Sequence, residues 1–174
     1  MKLLLTAVAL AVPAFSQTLT MKDALVKHWK VTADFTMAVA KAMPAADWAF
    51  RPNPEEMTFG ELIPHIGGAN LNACANAANL QRPAIPEPIL KAVADKKPAD
   101  RDLALQFLAD SFKFCNDVVA GMTTEKLETV TGLTQRKMSG FEWLWGYFTH
   151  TAHHRGQAEV YLRVKGIKPP EYAF

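Results

Sequence analysis

The stretch that decides the fold is residues 139–166, which read SGFEWLWGYFTHTAHHRGQAEVYLRVKG. Ser139 and Glu142 form a capping-box pair, which predicts that an α-helix begins here. Gly166, with two prolines beyond it, predicts where the helix ends. At the usual rise per residue the helix would be about 40 Å long. The stretch therefore predicts one long amphipathic helix.

Two histidines of this helix, His150 and His154, lie four residues apart and therefore on one face. On a helical wheel the same face carries Trp143, Tyr147, Gln157, Tyr161 and Val164. The opposite face carries Arg155, Glu159 and Arg163, whose alternating charges are typical of a solvent-exposed surface. We therefore expect both histidines to point inward. A divalent metal would satisfy one nitrogen on each buried ring.

Two more helices are predicted in the first half of the chain. The first covers residues 21–42, with Thr20 as its N-cap and Asp23 in its first turn. Its apolar stripe consists of Leu25, Trp29, Thr32, Phe35 and Val39. The second begins with the capping-box pair Thr58 and Glu61 and continues to about residue 80. Pro64 lies inside it and predicts a bend beside the next residue, His65.

The remaining helix, third in chain order, is predicted at about residues 100–119, and Gly121 marks its end. Its candidate buried residues are Leu103, Phe107, Phe114 and Val118. No segment shows the alternation of a β-strand. Four helices in a chain of 174 residues predict one all-α domain, a four-helix bundle. The connections at 44–57 and 81–97 are long, which is common where a connection is functional or contains short turns.

The first 16 residues have the layout of a secretory signal peptide. Lys2 precedes an apolar run at residues 3–12, and Ala14 and Ser16 are small residues at the positions that a signal peptidase reads. We therefore expect a mature domain at 17–174 in the periplasm or outside the cell. The apolar run is too short for a stable membrane span. An uncleaved membrane tether is the alternative.

The charged residues argue against a nucleic-acid partner. The net charge is +2, and the basic residues are interspersed with acids instead of forming a stripe. A homodimer is the assembly to be tested. Cys74 and Cys115 fall on different predicted helices. Export would permit a disulfide, but isolated cysteines are more often small buried hydrophobic residues, and we expect these two to be buried and free.

A metal site needs a third ligand, and the chain has five histidines. His65 is the better candidate, because its face of the second helix carries the polar and small residues of a cavity wall: Glu61, Gly68, Ala69, Asn72 and Asn76. His28 flanks the apolar stripe of the first helix, where a hydrogen-bonded packing role is commoner. His153 points to the side of the His150 and His154 face. Spacing alone leaves a three-histidine metal site and a network of core histidines as alternatives.

The segments Thr58-Phe-Gly-Glu-Leu-Ile-Pro-His65-Ile and His150-Thr-Ala-His-His154-Arg-Gly-Gln157 together resemble the DinB/YfiT-like family of metal-dependent four-helix-bundle proteins. The resemblance covers nearly the whole mature chain. It implies a divalent metal, nickel or zinc above all, held by His65, His150 and His154. Relatives include thiol transferases and a maleylpyruvate isomerase. Predicted export argues against thiol transfer here, because the thiol cofactors concerned are chiefly intracellular.

Three imidazole ligands leave a coordination position open for water or substrate. We therefore expect a metal-dependent hydrolase or transferase that acts on a small molecule. Glu61, one turn before His65, is the candidate general base, although the capping box already explains its presence. Asn72, Tyr147 and Gln157 are candidates for orienting the substrate or a nearby water, as is His153 unless it lies at the surface. The alternatives are a metal-binding bundle without catalysis and a partner-binding bundle.

Overall fold

The computed structural model describes residues 19–132 and 136–173, so the predicted signal peptide lies outside the described residues. The elements in chain order are α1 (Met21–Ala42), a 3-10 turn (Ala45–Asp47), α2 (Phe59–Ala78), α3 (Glu87–Ala94), α4 (Arg101–Gly121), α5 (Thr124–Glu128), β1 (Val130–Thr131), β2 (Met138–Ser139) and α6 (Gly140–Val164). Helices α1 and α2 each pack against both α4 and α6. The predicted all-α four-helix bundle is confirmed.

Local capping sets the start of the long helices. Three of them begin with a capping box, formed by Thr20 with Asp23, Thr58 with Glu61, and Ser139 with Glu142. The fourth, α4, uses the side chain of Asp100 as its N-cap. Each such cap contributes about 1 kcal/mol to the stability of its helix. The starts predicted from the sequence are therefore confirmed.

A proline inside α2 is compensated by a neighbouring segment. Pro64 has no N–H and cannot donate to the carbonyl of Gly60, four residues earlier. The N–H of Ala99 donates to that carbonyl instead, at 3.1 Å. The indole of Trp48 in turn donates to the Ala99 carbonyl at 2.8 Å. Helix α2 therefore continues through Pro64 and carries His65. The bend expected there stays a prediction.

The apolar stripe of α1 is buried as predicted, with Trp29 fully enclosed. In α4 the buried face includes Phe107 and Val118. Leu103 and Phe114, which were also expected there, are only half-buried, because Ala104, Leu108 and Phe112 occupy the centre of that face.

Arg155 of α6 is buried, although the sequence predicted that it would be exposed to solvent. Arg155 is only 6% exposed, and its guanidinium carbon lies 4.5 Å from the centre of the Phe35 ring on α1. Tyr172, from the C-terminal segment, packs edge-on against the same ring. The prediction of a solvent-exposed Arg155 was wrong, because this face of α6 packs on α1. A guanidinium tolerates such a position, since it is weakly hydrated and stacks on aromatic rings.

The neighbours of Arg155 on that face are less buried. Glu159 bridges Arg155 and Arg163, at 3.8 and 3.6 Å, and only the Arg163 side chain is exposed. On the predicted inward face, Val164 is exposed because it is the last residue of α6.

The two cysteines form a disulfide between α2 and α4. Cys74 and Cys115 are fully buried, and their Cα atoms lie 5.4 Å apart. That separation is within the range that a disulfide requires. Burial was predicted correctly, but the expectation of free thiols was wrong. The helix–helix packing brings the two positions opposite each other, which spacing along the chain does not reveal.

The long connections contain short elements. Helix α3 lies within 81–97 and buries Ile89, and the 3-10 turn lies within 44–57. Strands β1 and β2 pair antiparallel just before α6, each only two residues long, too short for an alternating pattern in the sequence. Across 19–132 and 136–173, no helix combines the length and apolar character needed to cross a membrane.

Candidate metal centre

Three histidine side chains meet between α2 and α6. The Nε2 atom of His65 lies 3.3 Å from Nε2 of His150 and 3.1 Å from Nε2 of His154. The Nε2 atoms of His150 and His154 are 3.1 Å apart. All three residues are half-buried. The structure therefore brings together the three residues that the sequence suggested as ligands, each through the same ring nitrogen.

This arrangement fits a single metal ion. With metal–nitrogen bonds of 2.0–2.1 Å and tetrahedral angles, two ligand nitrogens lie about 3.3–3.4 Å apart. Without a cation, each neutral Nε2 offers either one hydrogen or one lone pair, so three of them cannot all be satisfied by one another. Imidazole donors without a carboxylate suit nickel, copper or zinc better than magnesium or calcium. The donor set therefore favours a divalent transition metal.

The environment keeps the imidazoles neutral. Burial lowers the pKa of His65, and the neighbouring His154 lowers it further. Burial and the other histidines lower the pKa of His150 to about 4. Burial also lowers the pKa of His154, although its hydrogen bond with Gln157 and the negative charge of Glu56 act in the opposite direction. Neutral rings carry the lone pairs that metal coordination needs.

Gln157 selects the tautomer of His154. Its Oε1 atom lies 2.6 Å from Nδ1 of His154, so Nδ1–H donates and Nε2 keeps its lone pair for the centre of the cluster. This is the pairing that commonly orients a metal-binding histidine. The corresponding Nδ1 atom of His150 is buried and has no hydrogen-bond partner among the described residues.

The other sequence candidates differ in their distance from the cluster. The Tyr147 ring lies 5.5 Å from the His150 ring, centre to centre, so Tyr147 borders the site. His153 is exposed, and its ring makes a T-shaped contact with that of His154, 4.8 Å away centre to centre. Asn72 accepts hydrogen bonds from Asn76 within α2, and a role for it in orienting substrate stays a prediction.

Glu61 is held by groups at the start of α2. Its Oε2 atom accepts hydrogen bonds from the backbone and hydroxyl of Thr58, at 2.7 and 2.6 Å, and from Arg51 at 3.1 Å. The capping role inferred from the sequence is thus confirmed. The second oxygen, Oε1, is the one left for other contacts, and a catalytic role stays a prediction.

Sequence reasoning missed several residues that position the site. Thr151, next to His150, donates to Asn70 Oδ1 at 2.9 Å, and this fully buried pair joins α6 to α2. The Tyr161 hydroxyl donates to the Met57 carbonyl at 2.9 Å and holds the 51–57 connection against α6. Single polar residues on apolar faces have no spacing signal, so only the packing reveals them.

Comparisons with known proteins agree with this geometry. The model of the DinB superfamily matches residues 28–158. A DinB-like protein from Bacillus subtilis is 17% identical, with a TM-score of 0.67 over 86% of this chain and 96% of that one. A DinB-like protein from Bacillus cereus is 18% identical, with a TM-score of 0.65 over 87% and 97%.

A third similar structure is YfiT from Bacillus subtilis, described as a probable metal-dependent hydrolase with an unusual four-helix bundle topology. It is 14% identical, with a TM-score of 0.67 over 91% of this chain and 95% of YfiT. At these identities the likeness to solved structures is one of fold. No curated protein sequence matches the chain significantly.

Proposed function

Because the chain belongs to the DinB superfamily, we propose that it is an exported metal-dependent enzyme that hydrolyses a small molecule or transfers a group to it. The observation that carries the proposal is the convergence of three histidine Nε2 atoms within 3.3 Å of one another. The description of YfiT, which shares the fold, as a probable metal-dependent hydrolase supports it.

We propose His65, His150 and His154 as the ligands of a nickel or zinc ion. A divalent ion held there would supply Lewis-acid chemistry, polarising a carbonyl or acidifying a coordinated water. The chain's own residues prepare the site. Gln157 fixes the His154 tautomer, and the Asn70–Thr151 hydrogen bond fixes the separation of α2 and α6 beside His150.

Glu61 is proposed as the proton acceptor. It lies one helical turn before His65 on the same face of α2, and its Oε1 atom is not used by the cap. The Glu61→Gln substitution tests the role, because glutamine also completes a capping box and preserves the helix start. We expect a loss of turnover with the fold retained, and with a lower melting temperature because the ion pair with Arg51 is lost.

Glu56 supplies the matched control for that substitution. Its negative charge acts on His154 and Tyr161, but it lies on the exposed 51–57 connection. Glu56→Gln should leave turnover near the wild-type value. Equal losses in both variants would mean that overall charge matters and that Glu61 is not the acceptor.

The disulfide supports the proposal of export. Disulfides persist in oxidising compartments and are rare in the cytosol of mesophiles, and Cys74 and Cys115 are paired here. We expect the protein in the periplasmic or secreted fraction, with a mass that corresponds to cleavage near residue 16. A cytosolic, full-length protein would contradict export and would restore weight to thiol transfer.

A metal-binding bundle without catalysis is the second candidate. Two observations favour it: Thr58 and Arg51 engage Oε2 of Glu61, and no carboxylate belongs to the ligand group of three histidines among the described residues. Metal sequestration needs no proton acceptor, so this arrangement would suffice for it.

Activity measurements separate the two candidates. The mature protein, loaded with nickel or zinc, is assayed against ester, amide and thiol-conjugation substrates. Turnover should require metal, be lost in His150→Ala, and persist in His153→Ala, in which an exposed neighbouring histidine is removed. Turnover in none of the metal forms would contradict the enzymatic proposal and favour sequestration.

A further inference from the structure

Arg136 is an exposed cation next to Tyr147, which borders the histidine cluster, and it has no acidic partner among the described residues. Its guanidinium carbon lies 5.7 Å from the centre of the Trp143 ring and 5.8 Å from that of the Tyr147 ring. Its Nη1 atom donates to the Tyr147 hydroxyl at 3.3 Å. Across 19–132 and 136–173, no carboxylate lies within ion-pair distance of it. Arg51, Arg101, Arg155 and Arg163 each lie within ion-pair distance of a glutamate or aspartate, whereas the exposed Arg82 resembles Arg136 in having no such partner in the described part of the chain.

Aromatic contacts position this guanidinium without neutralising it. Two rings attract the cation through their electron-rich faces, and neither contributes a negative charge. An arginine held in this way keeps its full charge and free N–H groups for a ligand. The planar fork of N–H donors matches the two oxygens of a carboxylate.

Tyr147 connects Arg136 to the metal centre. It lies one turn before His150 on α6, and the two rings are 5.5 Å apart. Because the 5.5 Å and 5.8 Å separations share the Tyr147 ring, the guanidinium carbon lies at most about 11 Å from the centre of the His150 ring. One small molecule can span that distance.

The backbone around Arg136 is attached to the same two helices as the site. The Thr131 hydroxyl, in β1, donates to the Asn76 carbonyl of α2 at 2.7 Å. Strand β2, two residues after Arg136, continues directly into α6. The guanidinium is therefore positioned by the elements that carry the histidines.

We propose that Arg136, with the Tyr147 hydroxyl, binds the carboxylate end of the substrate while the reacting bond lies at the three histidines. The inference rests on the proposed function and adds the substrate class, a small carboxylic acid derivative such as the half-ester or half-amide of a dicarboxylic acid. Both residues act in binding and orientation, and neither takes part in proton transfer.

Benzoate binding tests the subsite without requiring turnover. Isothermal titration of the metal-loaded mature protein is carried out at low ionic strength with benzoate, neutral benzamide and inorganic phosphate. Benzoate should bind, and benzamide should bind at least about tenfold more weakly, the ratio expected when one charge-assisted hydrogen bond is lost. No benzoate binding, or phosphate binding that depends on Arg136 more strongly than benzoate binding does, would overturn the assignment to carboxylates.

Substitutions locate the binding. Arg136→Gln should weaken benzoate binding about tenfold or more, and Arg136→Lys should weaken it less, because lysine keeps the charge and loses the planar fork. Lys137→Gln removes the adjacent exposed charge and should change the affinity less than twofold. Equal effects of Arg136→Gln and Lys137→Gln would overturn the subsite. Far-UV circular dichroism verifies folding.

Kinetics distinguish a failure of this inference from a failure of the proposed function. If the protein hydrolyses esters, Arg136→Gln should raise KM for a half-ester of succinate about tenfold, leave kcat near wild type, and leave the diester unaffected. Ester hydrolysis insensitive to Arg136 would overturn the inference and leave the enzymatic proposal intact. If benzoate binding depends on Arg136 but the protein turns over none of the substrates, the inference is supported and the enzymatic proposal is contradicted.

Discussion

Removal of the disulfide between α2 and α4 should destabilise the bundle by a calculable amount. The bond joins residues separated by 41 positions. In the chain-entropy account of cross-links, a loop of that length restricts the unfolded chain by about 4 kcal/mol. For a domain of this size each kcal/mol corresponds to roughly 2–4 °C, so the melting temperature should fall by about 12 °C. The double substitution Cys74→Ala and Cys115→Ala is the cleanest perturbation, because it leaves no thiol to form other bonds.

Chemical denaturation in urea measures this effect as a change in midpoint, with circular dichroism at 222 nm as the signal. Wild type in the presence of a reductant should converge toward the double variant, whereas the variant should not respond to the reductant. Tm and midpoint values equal to those of oxidised wild type would refute the reasoning. A response of the variant to reductant would show that the effect does not come from this bond.

Three further perturbations test the fold and the site. Gln157→Ala should weaken metal binding about 10- to 100-fold in a chelator competition, because the bond that orients a ligand is lost, and Gln157→Glu should bind close to wild type. Gly60→Ala should cost about 1–3 kcal/mol in urea unfolding, because a Cβ there would lie 2.5 Å from the Trp48 indole nitrogen. Gly146→Ala, inside α6 with open space around it, should instead stabilise the protein by about 0.5–1 kcal/mol. Burial raises the pKa of Tyr161 to about 12, so the stability it supports is present below pH 10 and is lost as pH rises toward 12. The last tyrosine step in an alkaline absorbance titration should therefore disappear in Tyr161→Phe, and a step that persists would contradict the assignment.

Helix starts were predictable because their cause is local. The capping boxes beginning at Thr20, Thr58 and Ser139 each involve a side chain and a backbone group three residues apart. Such pairs can be recognised from the residue types at two positions three apart in the sequence. The apolar period of each helix then indicates which face is buried.

Contacts between helices were harder to predict because they depend on packing. The exposed position expected for Arg155 followed from charge spacing along one helix, but Phe35 on α1 covers it. The Cys74–Cys115 disulfide likewise depends on how α2 and α4 are aligned. Neither relation has a signature within a single helix, so reasoning along the sequence gave the wrong environment.

The residues of the candidate site likewise include some that local spacing predicts and others that only the packing of helices reveals. The His150 and His154 pair was visible from its four-residue spacing on one helix. His65 lies 85 positions before His150. The polar and small residues on its face of α2 made it the better third candidate, and the family resemblance was needed to prefer a metal site over a network of core histidines. The Asn70–Thr151 pair and Arg136 were missed, because each acquires its role only from residues that lie far away along the chain.

The central claim is that three imidazoles hold one metal ion. X-ray absorption spectroscopy of the mature protein, reconstituted with zinc, tests it most directly. We predict about one zinc per chain with three imidazole nitrogens at about 2.0–2.1 Å. His65→Ala, His150→Ala and His154→Ala should each lose that signal, while His153→Ala retains it. Zinc bound equally by all four variants, or coordinated without imidazole, would contradict the account.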